Sequence, residues 1–287
     1  MELLVQNLCK RFGDKTVLED INFSMQSGEF VTFVGSSGCG KSTLLRLIAG
    51  LDHPSGGRIQ VDGSPVEGPG PDRGMVFQKY SLYPWLNAAD NVAFGMRLQG
   101  MTSADVHDRT AYFLEVVGLQ DAATKLPREL SGGMQQRVAI ARALATNPSV
   151  LLLDEPFGAL DLQNRETMQD FLHKLWQRTG LTVLLITHDV EEALVLAQRV
   201  HVLAPNPGRI IRSLDVTLDK SDLDQLRLSA EFLQLRRSLA TSSCQRLRPP
   251  SRLRCSVSCR AAPPLWLVWC PWRRFAARYS SRLPRAR

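Results

Sequence analysis

The residues with the most specific chemical pattern form a glycine-rich run that ends in a lysine and two hydroxyls. They read Gly35-Ser36-Ser37-Gly38-Cys39-Gly40-Lys41-Ser42, with Thr43 next. The spacing is G-x-x-x-x-G-K-[ST]. Glycines lack a Cβ, so consecutive backbone N–H groups can curl around phosphate oxygens. A helix beginning at Lys41 would aim its positive N-terminus at the same anion. Lys41 is then placed to reach β- and γ-phosphates, and the Ser42 hydroxyl to ligate Mg²⁺. A functionless Gly-rich turn is the competing account. Average residue usage produces this pattern by chance in on the order of 1 in 100 chains of this length. The run also sits between a predicted strand and a predicted helix, which is the context the chemistry needs. Cys39 reads either as a redox-sensitive thiol or as a neutral filler of the loop, and the filler is the simpler account.

A second constellation is Val150-Leu151-Leu152-Leu153-Asp154-Glu155. A continuous apolar run of this kind predicts a strand buried on both faces of a parallel sheet. Its carboxylates then fall at the strand's carboxyl end, facing a ligand crevice. Asp154 would hold Mg²⁺, directly or through water, and Glu155 would polarise an attacking water as general base. Alone, an apolar run followed by Asp-Glu is no more than a solvated strand end. Beside a phosphate loop it becomes specific.

The surrounding elements must bring these groups together. Ile21-Asn22-Phe23-Ser24-Met25 alternates apolar and polar, as a half-buried strand does, and Phe30-Val31-Thr32-Phe33-Val34 is a second strand. Residues 41–49 read as a helix, and 58–61 and 74–77 as short strands between Pro- and Gly-rich turns. Residues 88–147 change character and read as helices, among them 106–117. In 164–179, Met168, Phe171, Leu172, Leu175 and Trp176 fall on one helical face. Strands follow at 181–186, 199–203 and 210–214, with a helix at 190–197. Alternating strands and helices predict an α/β fold with a mostly parallel sheet and a helical block at about 88–147 inserted between its strands.

The chain has 35 Lys and Arg against 28 Asp and Glu, a formal net charge of +7. Residues 241–287 hold 11 Arg and no Lys, Asp or Glu, which leaves residues 1–240 with 24 basic and 28 acidic side chains, a net of −4. The positive excess therefore argues nothing about a nucleic-acid partner for the body, although whole-chain charge first suggests one. Four of six Cys and three of five Trp also lie in that last stretch. The two body cysteines, Cys9 and Cys39, make no disulfide framework, so a reducing compartment is expected. No signal-peptide run opens the chain, and no apolar run reaches the roughly 18 residues of a membrane span. The Arg-rich stretch admits three readings: a basic aromatic membrane-surface or nucleic-acid segment, a metal site, or an out-of-frame translation of GC-rich coding sequence. Its Cys spacing disfavours the metal site. The third reading fits the absence of Lys, Asp and Glu, and predicts a disordered, dispensable tail.

Leu130-Ser131-Gly132-Gly133-Met134-Gln135-Gln136-Arg137 resembles the signature motif of ABC-transporter ATPases, and it precedes the Asp154-Glu155 strand as it does in that family. Other stretches agree. Gln78 in Val76-Phe77-Gln78 resembles the Q-loop, Gly158-Ala159-Leu160-Asp161 the D-loop, and Thr187-His188-Asp189 the switch-histidine motif. Phe12, in Lys10-Arg11-Phe12-Gly13, matches the aromatic residue that stacks on adenine; a core Phe is the alternative. The resemblance covers residues 1 to about 215. It implies a P-loop NTPase with a RecA-like parallel core, an N-terminal antiparallel β part and the inserted helical subdomain, all within residues 1–240.

It also implies site roles. ATP and Mg²⁺ would be the cofactors. Ser42, Gln78 and Asp154 would surround the metal, with Gln78 sensing the γ-phosphate. Glu155 would activate water and His188 would bond the γ-phosphate. Ser131, Gly132 and Gly133 start a helix, a second anion-binding N-terminus. In the family, such residues close over ATP held by the opposite protomer of a head-to-tail homodimer, and the resemblance counts Asp161 among the nucleotide-binding residues. Read alone, Ser131 is fully explained as a helix N-cap, and Gln78 as a surface Gln.

Residues 71–78, 82–86, 189–193 and 205–210 resemble the nitrate, sulfonate and taurine importer subgroup. Partners would be a transmembrane permease and, indirectly, a periplasmic or surface substrate-binding protein, with no nucleic acid. The location would be the cytoplasmic face of the inner membrane. Tyr83-Pro84-Trp85 is expected either to dock the permease or to pack on the helical block. A soluble ABC-type ATPase without a permease is the alternative reading.

Overall fold

The structure, a computed structural model, describes residues 2–79, 81–158 and 160–244. The reading of residues 241–287 falls almost wholly outside them, as does Ala159 of the Gly158–Asp161 stretch.

The chain opens with β1 (Leu3–Phe12), β2 (Lys15–Met25) and β3 (Phe30–Gly35), then α1 (Lys41–Ile48), β4 (Gly56–Val61), β5 (Ser64–Pro65) and β6 (Arg73–Val76). Three helices follow: α2 (Ala88–Leu98), α3 (Ser103–Val116) and α4 (Gly132–Ala145). The remainder is β7 (Val150–Asp154), α5 (Leu162–Thr179), β8 (Thr182–Thr187), α6 (Val190–Leu196), β9 (Arg199–Ala204), β10 (Arg209–Asp215), α7 (Leu223–Leu228) and α8 (Ala230–Cys244).

Two sheets result. The first is antiparallel, in the order β2-β1-β4-β5. The second has the order β10-β9-β3-β8-β7-β6. There β9, β3, β8, β7 and β6 run parallel, and only the edge strand β10 is antiparallel. This is the expected α/β fold, with a mostly parallel sheet and an N-terminal antiparallel part.

Period-two alternation decides which layer each strand residue serves. Phe30, Val34, Leu151, Leu153, Val183, Leu185, Val200 and Val202 face one core, shared with α4, α5, α6, α7 and α8. Their neighbours Val31, Phe33, Val150, Leu152, Leu184, Ile186 and Leu203 face the other, shared with α1 and the antiparallel sheet. Both faces are covered, so these strands read as unbroken apolar runs. A third core, with Val92, Met96, Leu114 and Val138, belongs to α2, α3 and α4. The face predicted for α5 is the buried one: Met168, Leu172 and Leu175 are buried, with Phe171 and Trp176 packed beside them.

β1 is absent from the sequence reading, and β2 begins six residues earlier than its alternation indicates. The reason is a bulge. The β1–β2 register shifts between Val5 and Leu8, where Asn7 has φ of 48° and donates its N–H to Asn22 Oδ1 at 2.7 Å. Alternation across Leu3, Val5 and Leu8 is therefore out of step, although all three are buried. α7 and α8 were likewise not anticipated. α8 is anchored by Phe232 and Leu239 in the first core, and α7 by Asp222, whose carboxylate accepts the N–H groups of Asp224 and Gln225.

Leu184 lies on β8 and is fully buried against α1 and its neighbouring strands. Leu184→Ala should cost about 2–5 kcal/mol. Urea denaturation should show a lowered midpoint with an unchanged slope.

Candidate active site

In a parallel sheet every strand delivers its carboxyl end to the same edge. Here that edge collects the ends of β3, β6, β7 and β8. β3 ends at Gly35, and the loop that follows exposes Ser36, Ser37 and Gly38 before turning into α1. Gly40 makes the turn with φ of 103°, and a Cβ there would come within 2.7 Å of Leu18 Cδ2. Both backbone and space therefore demand glycine. Lys41, only 4% exposed, donates from Nζ to Gly35 O at 2.9 Å and Ser36 O at 3.3 Å. Ser42, beside it in the first turn of α1, donates from Oγ to Asp154 Oδ1 at 3.1 Å. Thr43 follows on the same turn.

β7 delivers Asp154 and then Glu155. Burial pushes the Asp154 carboxyl above its ordinary range, with the Ser42 hydrogen bond opposing. Lys41 and Arg46 nearby also favour the charged form, and the carboxylate and the Ser42 hydroxyl make two adjacent hard oxygen donors. Glu155 has φ of 43°, a left-handed conformation that costs a non-glycine residue about 1–3 kcal/mol. Its N–H donates to Ile186 O at 2.9 Å, which holds the strained turn against β8. Its carboxylate is the hub of the edge. Oε1 lies 3.5 Å from Lys41 Nζ, Oε2 accepts Gln78 Nε2 at 3.4 Å, and Oε2 lies 3.2 Å from His188 Nδ1. Six predicted residues, Lys41, Ser42, Gln78, Asp154, Glu155 and His188, are brought together from four strand ends.

The remaining candidates stand apart. Phe12 closes β1 and is half exposed, so it is not a core residue; Lys10 Nζ lies 4.7 Å from its ring centroid. Lys10 is itself fixed by Asp52 Oδ1 at 2.6 Å and His53 O at 2.7 Å. Ser131 caps α4 by accepting the Met134 N–H at 3.3 Å, with Gly132 and Gly133 opening the helix. Asp161 caps α5 by accepting the Asn164 N–H at 3.0 Å. Among the described residues no hydrogen bond or ion pair links Ser131 or Asp161 to the Glu155 hub. Cys39 is buried, and burial pushes its thiol pKa up, which disfavours the thiolate and supports the filler reading. Of the Tyr83-Pro84-Trp85 cluster, Tyr83 follows the local-packing account. Tyr83 packs on Phe94 of α2 at 4.5 Å between ring centroids, whereas Trp85 is 73% exposed.

Sequence reading missed one group. Glu192 is 4% exposed and accepts the Thr187 hydroxyl, and Arg165 points at it from α5. Sequence reading gives the stretch after His188 a helix and a subgroup likeness, but no role for Glu192. The available signal was a charged residue at a position whose neighbours, Ala193 and Leu194, read as core.

A glycine loop feeding a helix, a buried lysine and a strand-end carboxylate pair on a parallel sheet together define a P-loop nucleoside-triphosphate-binding protein. Comparison with known proteins narrows this. The sequence model of the family described as "ABC transporter" matches residues 18–158. The chain is 58% identical over 206 residues to the nitrate import ATP-binding protein NrtD of Synechocystis sp., covering 72% of this chain and 77% of that one. It is 51% identical over 212 residues to the taurine import ATP-binding protein TauB of Escherichia coli O157:H7, covering 74% and 83%. Among solved structures it resembles the dimeric ATP-binding cassette MJ0796 in a post-hydrolysis state bound to ADP and Pi. The TM-score is 0.65 at 33% identity, covering 75% of this chain and 98% of that one. It also resembles cbiO1 from Clostridium perfringens, part of the transporter complex cbiONQ, with a TM-score of 0.70 at 28% identity, covering 80% and 96%. The chain belongs to the ABC transporter family and is an ABC-type ATPase.

Glu192 carries a pH signature. Burial, the largest cause, pushes its pKa from 4.5 to about 7, opposed by the Thr187 hydrogen bond. A pKa raised on folding means stability fully present below the unfolded value and lost as pH rises through the folded one. Glu192→Gln should therefore raise the melting temperature at pH 8, with the gain shrinking toward pH 5. Thermal melts across that range check the sign.

Proposed function

We propose that the chain hydrolyses ATP at this edge to power import of nitrate, a sulfonate, taurine or a related small solute through a membrane permease. The observation that carries the reading is the Glu155 hub, where a general-base candidate, a phosphate-loop lysine and a histidine meet at one strand edge. The cargo class rests on likeness to nitrate and taurine importer subunits. On this reading the loop N–H groups of residues 35–43 and Lys41 bind the phosphates. Phe12, exposed at the end of β1, stacks on adenine.

The donor set fits Mg²⁺. Ser42 Oγ and Asp154 Oδ1 are adjacent hard oxygens, and burial of the Asp154 carboxyl outweighs the nearby Lys41 and Arg46 charges. Among the described residues no cluster of three His, Cys, Asp or Glu could cage a metal unaided. That suits an ion which keeps water and takes phosphate oxygens alongside one or two protein ligands. Ser42 and Asp154 would hold it, with Gln78 at its outer side, and the ion would neutralise charge on the phosphates. Glu155 takes the proton of the attacking water, and His188 bonds the γ-phosphate and orients that water.

Ser131, Gly132, Gly133 and Asp161 serve the nucleotide of a second copy, in a head-to-tail dimer. Leu162, the exposed first residue of α5, lies on the same proposed face. The permease would dock at the exposed Trp85, with a cleft of about 620 Å³ between α2 and α3, lined by Ala93, Met101, Val106 and Leu114, as a further contact. Among the described residues no helix is long and apolar enough to cross a membrane. Attachment at the cytoplasmic face would thus come through the permease. A substrate-binding protein would supply the cargo on the far side, and residues 1–240 would carry all of the ATPase.

Glu155→Gln should still bind ATP and dimerise with it, while hydrolysis falls about 10²- to 10⁴-fold. Single-turnover assays with size-exclusion chromatography test this, and near-normal turnover would refute the assignment of the base. Trp85→Ala should lower recovery of a co-expressed permease with the chain by about tenfold. Undiminished recovery would overturn the docking assignment.

A further inference from the structure

Beside the phosphate edge, a second set of polar side chains lies between α5 and the loop joining β8 to α6, with Thr187 and Glu192 buried and Arg165 and Asp189 partly exposed. Glu192 Oε2 accepts the Thr187 hydroxyl, and Thr187 Oγ1 accepts the Asp189 N–H at 3.0 Å. Asp189 Oδ1 then caps α6 by accepting the Glu191 N–H at 2.8 Å. These bonds lock the turn whose middle residue is His188. Arg165 enters from the opposite side. Its Nε lies 3.8 Å from Glu192 Oε1, its Nη1 3.6 Å from Asp189 Oδ2, and its Nη2 donates to Leu160 O at 3.4 Å. One guanidinium therefore spans the Leu160–Asp161 segment and the His188 loop. Arg165 Nε is buried without a hydrogen-bond acceptor. Such a donor carries a penalty that a small approach of α5 to the loop would relieve. Burying the Glu192 carboxylate beside a partly exposed guanidinium is a poor route to stability compared with apolar packing. Its placement between the Leu160–Asp161 segment and the His188 loop points to another role.

We propose that Arg165 and Glu192 are positioning residues that transmit the seating of the Leu160–Asp161 segment to the His188 imidazole. When that segment is pressed by a second copy, Arg165 pulls the Thr187–Asp189 turn with it, and His188 reaches its working place. This rests on the reading of His188 as the γ-phosphate group.

The test compares steady-state ATP hydrolysis by the full chain with Arg165→Ala, Arg165→Lys, Glu192→Gln, the Arg165→Ala/Glu192→Gln double substitution and His188→Ala. Each of the first and third should lower kcat about 10-fold or more, with KM for ATP within about two-fold. The double variant should be no slower than the slower single, because both cut one link. Arg165→Lys should recover part of the rate. Glu192→Gln should melt no lower than the unsubstituted chain at pH 8, so its loss is not unfolding. Additive losses, or a kcat loss that tracks a lowered melting temperature, would overturn the proposal. Full turnover in Arg165→Ala and Glu192→Gln beside an inactive His188→Ala would sink the relay alone. Normal turnover in His188→Ala would instead sink the reading beneath it.

Discussion

A buried ammonium must find carbonyls or anions, or give up its charge. Lys41 is that ammonium, and the phosphate edge is arranged around it. Its partners are the Gly35 and Ser36 carbonyls and the Glu155 carboxylate. Glu155 in turn gathers Gln78 and His188. On the proposed reading, this carboxylate stands where phosphate charge competes for the same lysine. A polyphosphate offers Lys41 more negative charge than one carboxylate does, so its arrival loosens Glu155 from Lys41 and leaves it to water. The strained φ of Glu155 fits this place, because backbone strain persists only where surrounding bonds over-determine it.

The sheet makes this meeting possible with few local instructions. Four neighbouring parallel strands stop at one level, so the residue after each stop is at the edge regardless of its type. The two cores then fix rotation. Because Leu151 and Leu153 face one core and Leu152 the other, Asp154 cannot turn away from the edge without burying a charge or exposing a leucine. Position comes from the strand ends and orientation from apolar packing. The polar residues add hydrogen bonds to a place already chosen.

That division explains what could be read from the residues alone. The parallel core was legible because strands covered on both faces write continuous apolar runs, and the phosphate loop because its spacing is demanding. The Glu155 hub was legible only as separate motifs, since Gln78 and His188 join it through strand order, which periodicity does not encode. β1 was hidden by the bulge at Asn7, and α7 and α8 by short amphipathic patterns whose burial depends on a distant core. Arg165 and Glu192 were hidden more deeply. A charge within an apolar helix face is ambiguous until the side chain opposite is known, and here it lies on another helix.

The glycine at 133 carries the argument past the single chain. A Cβ there would meet nothing within 4 Å, and its φ is not left-handed. Within a helix, glycine costs roughly 0.5–1 kcal/mol relative to alanine. Neither steric need nor backbone need in this chain offsets that cost, unlike Gly40, where both do. Ser131 beside it caps the helix, which any small polar residue could do. A bare helix start with a surface glycine suits a ligand brought from outside, approaching the backbone more closely than a Cβ would permit. The Lys41 loop already gives this chain one such anion-binding start, built into the sheet edge. On the proposed reading, the second one, at Ser131–Gly133, serves the nucleotide of another copy. Were the two half-sites to complete each other in a head-to-tail pair, as proposed, the dimer rather than the monomer would be the working ATPase.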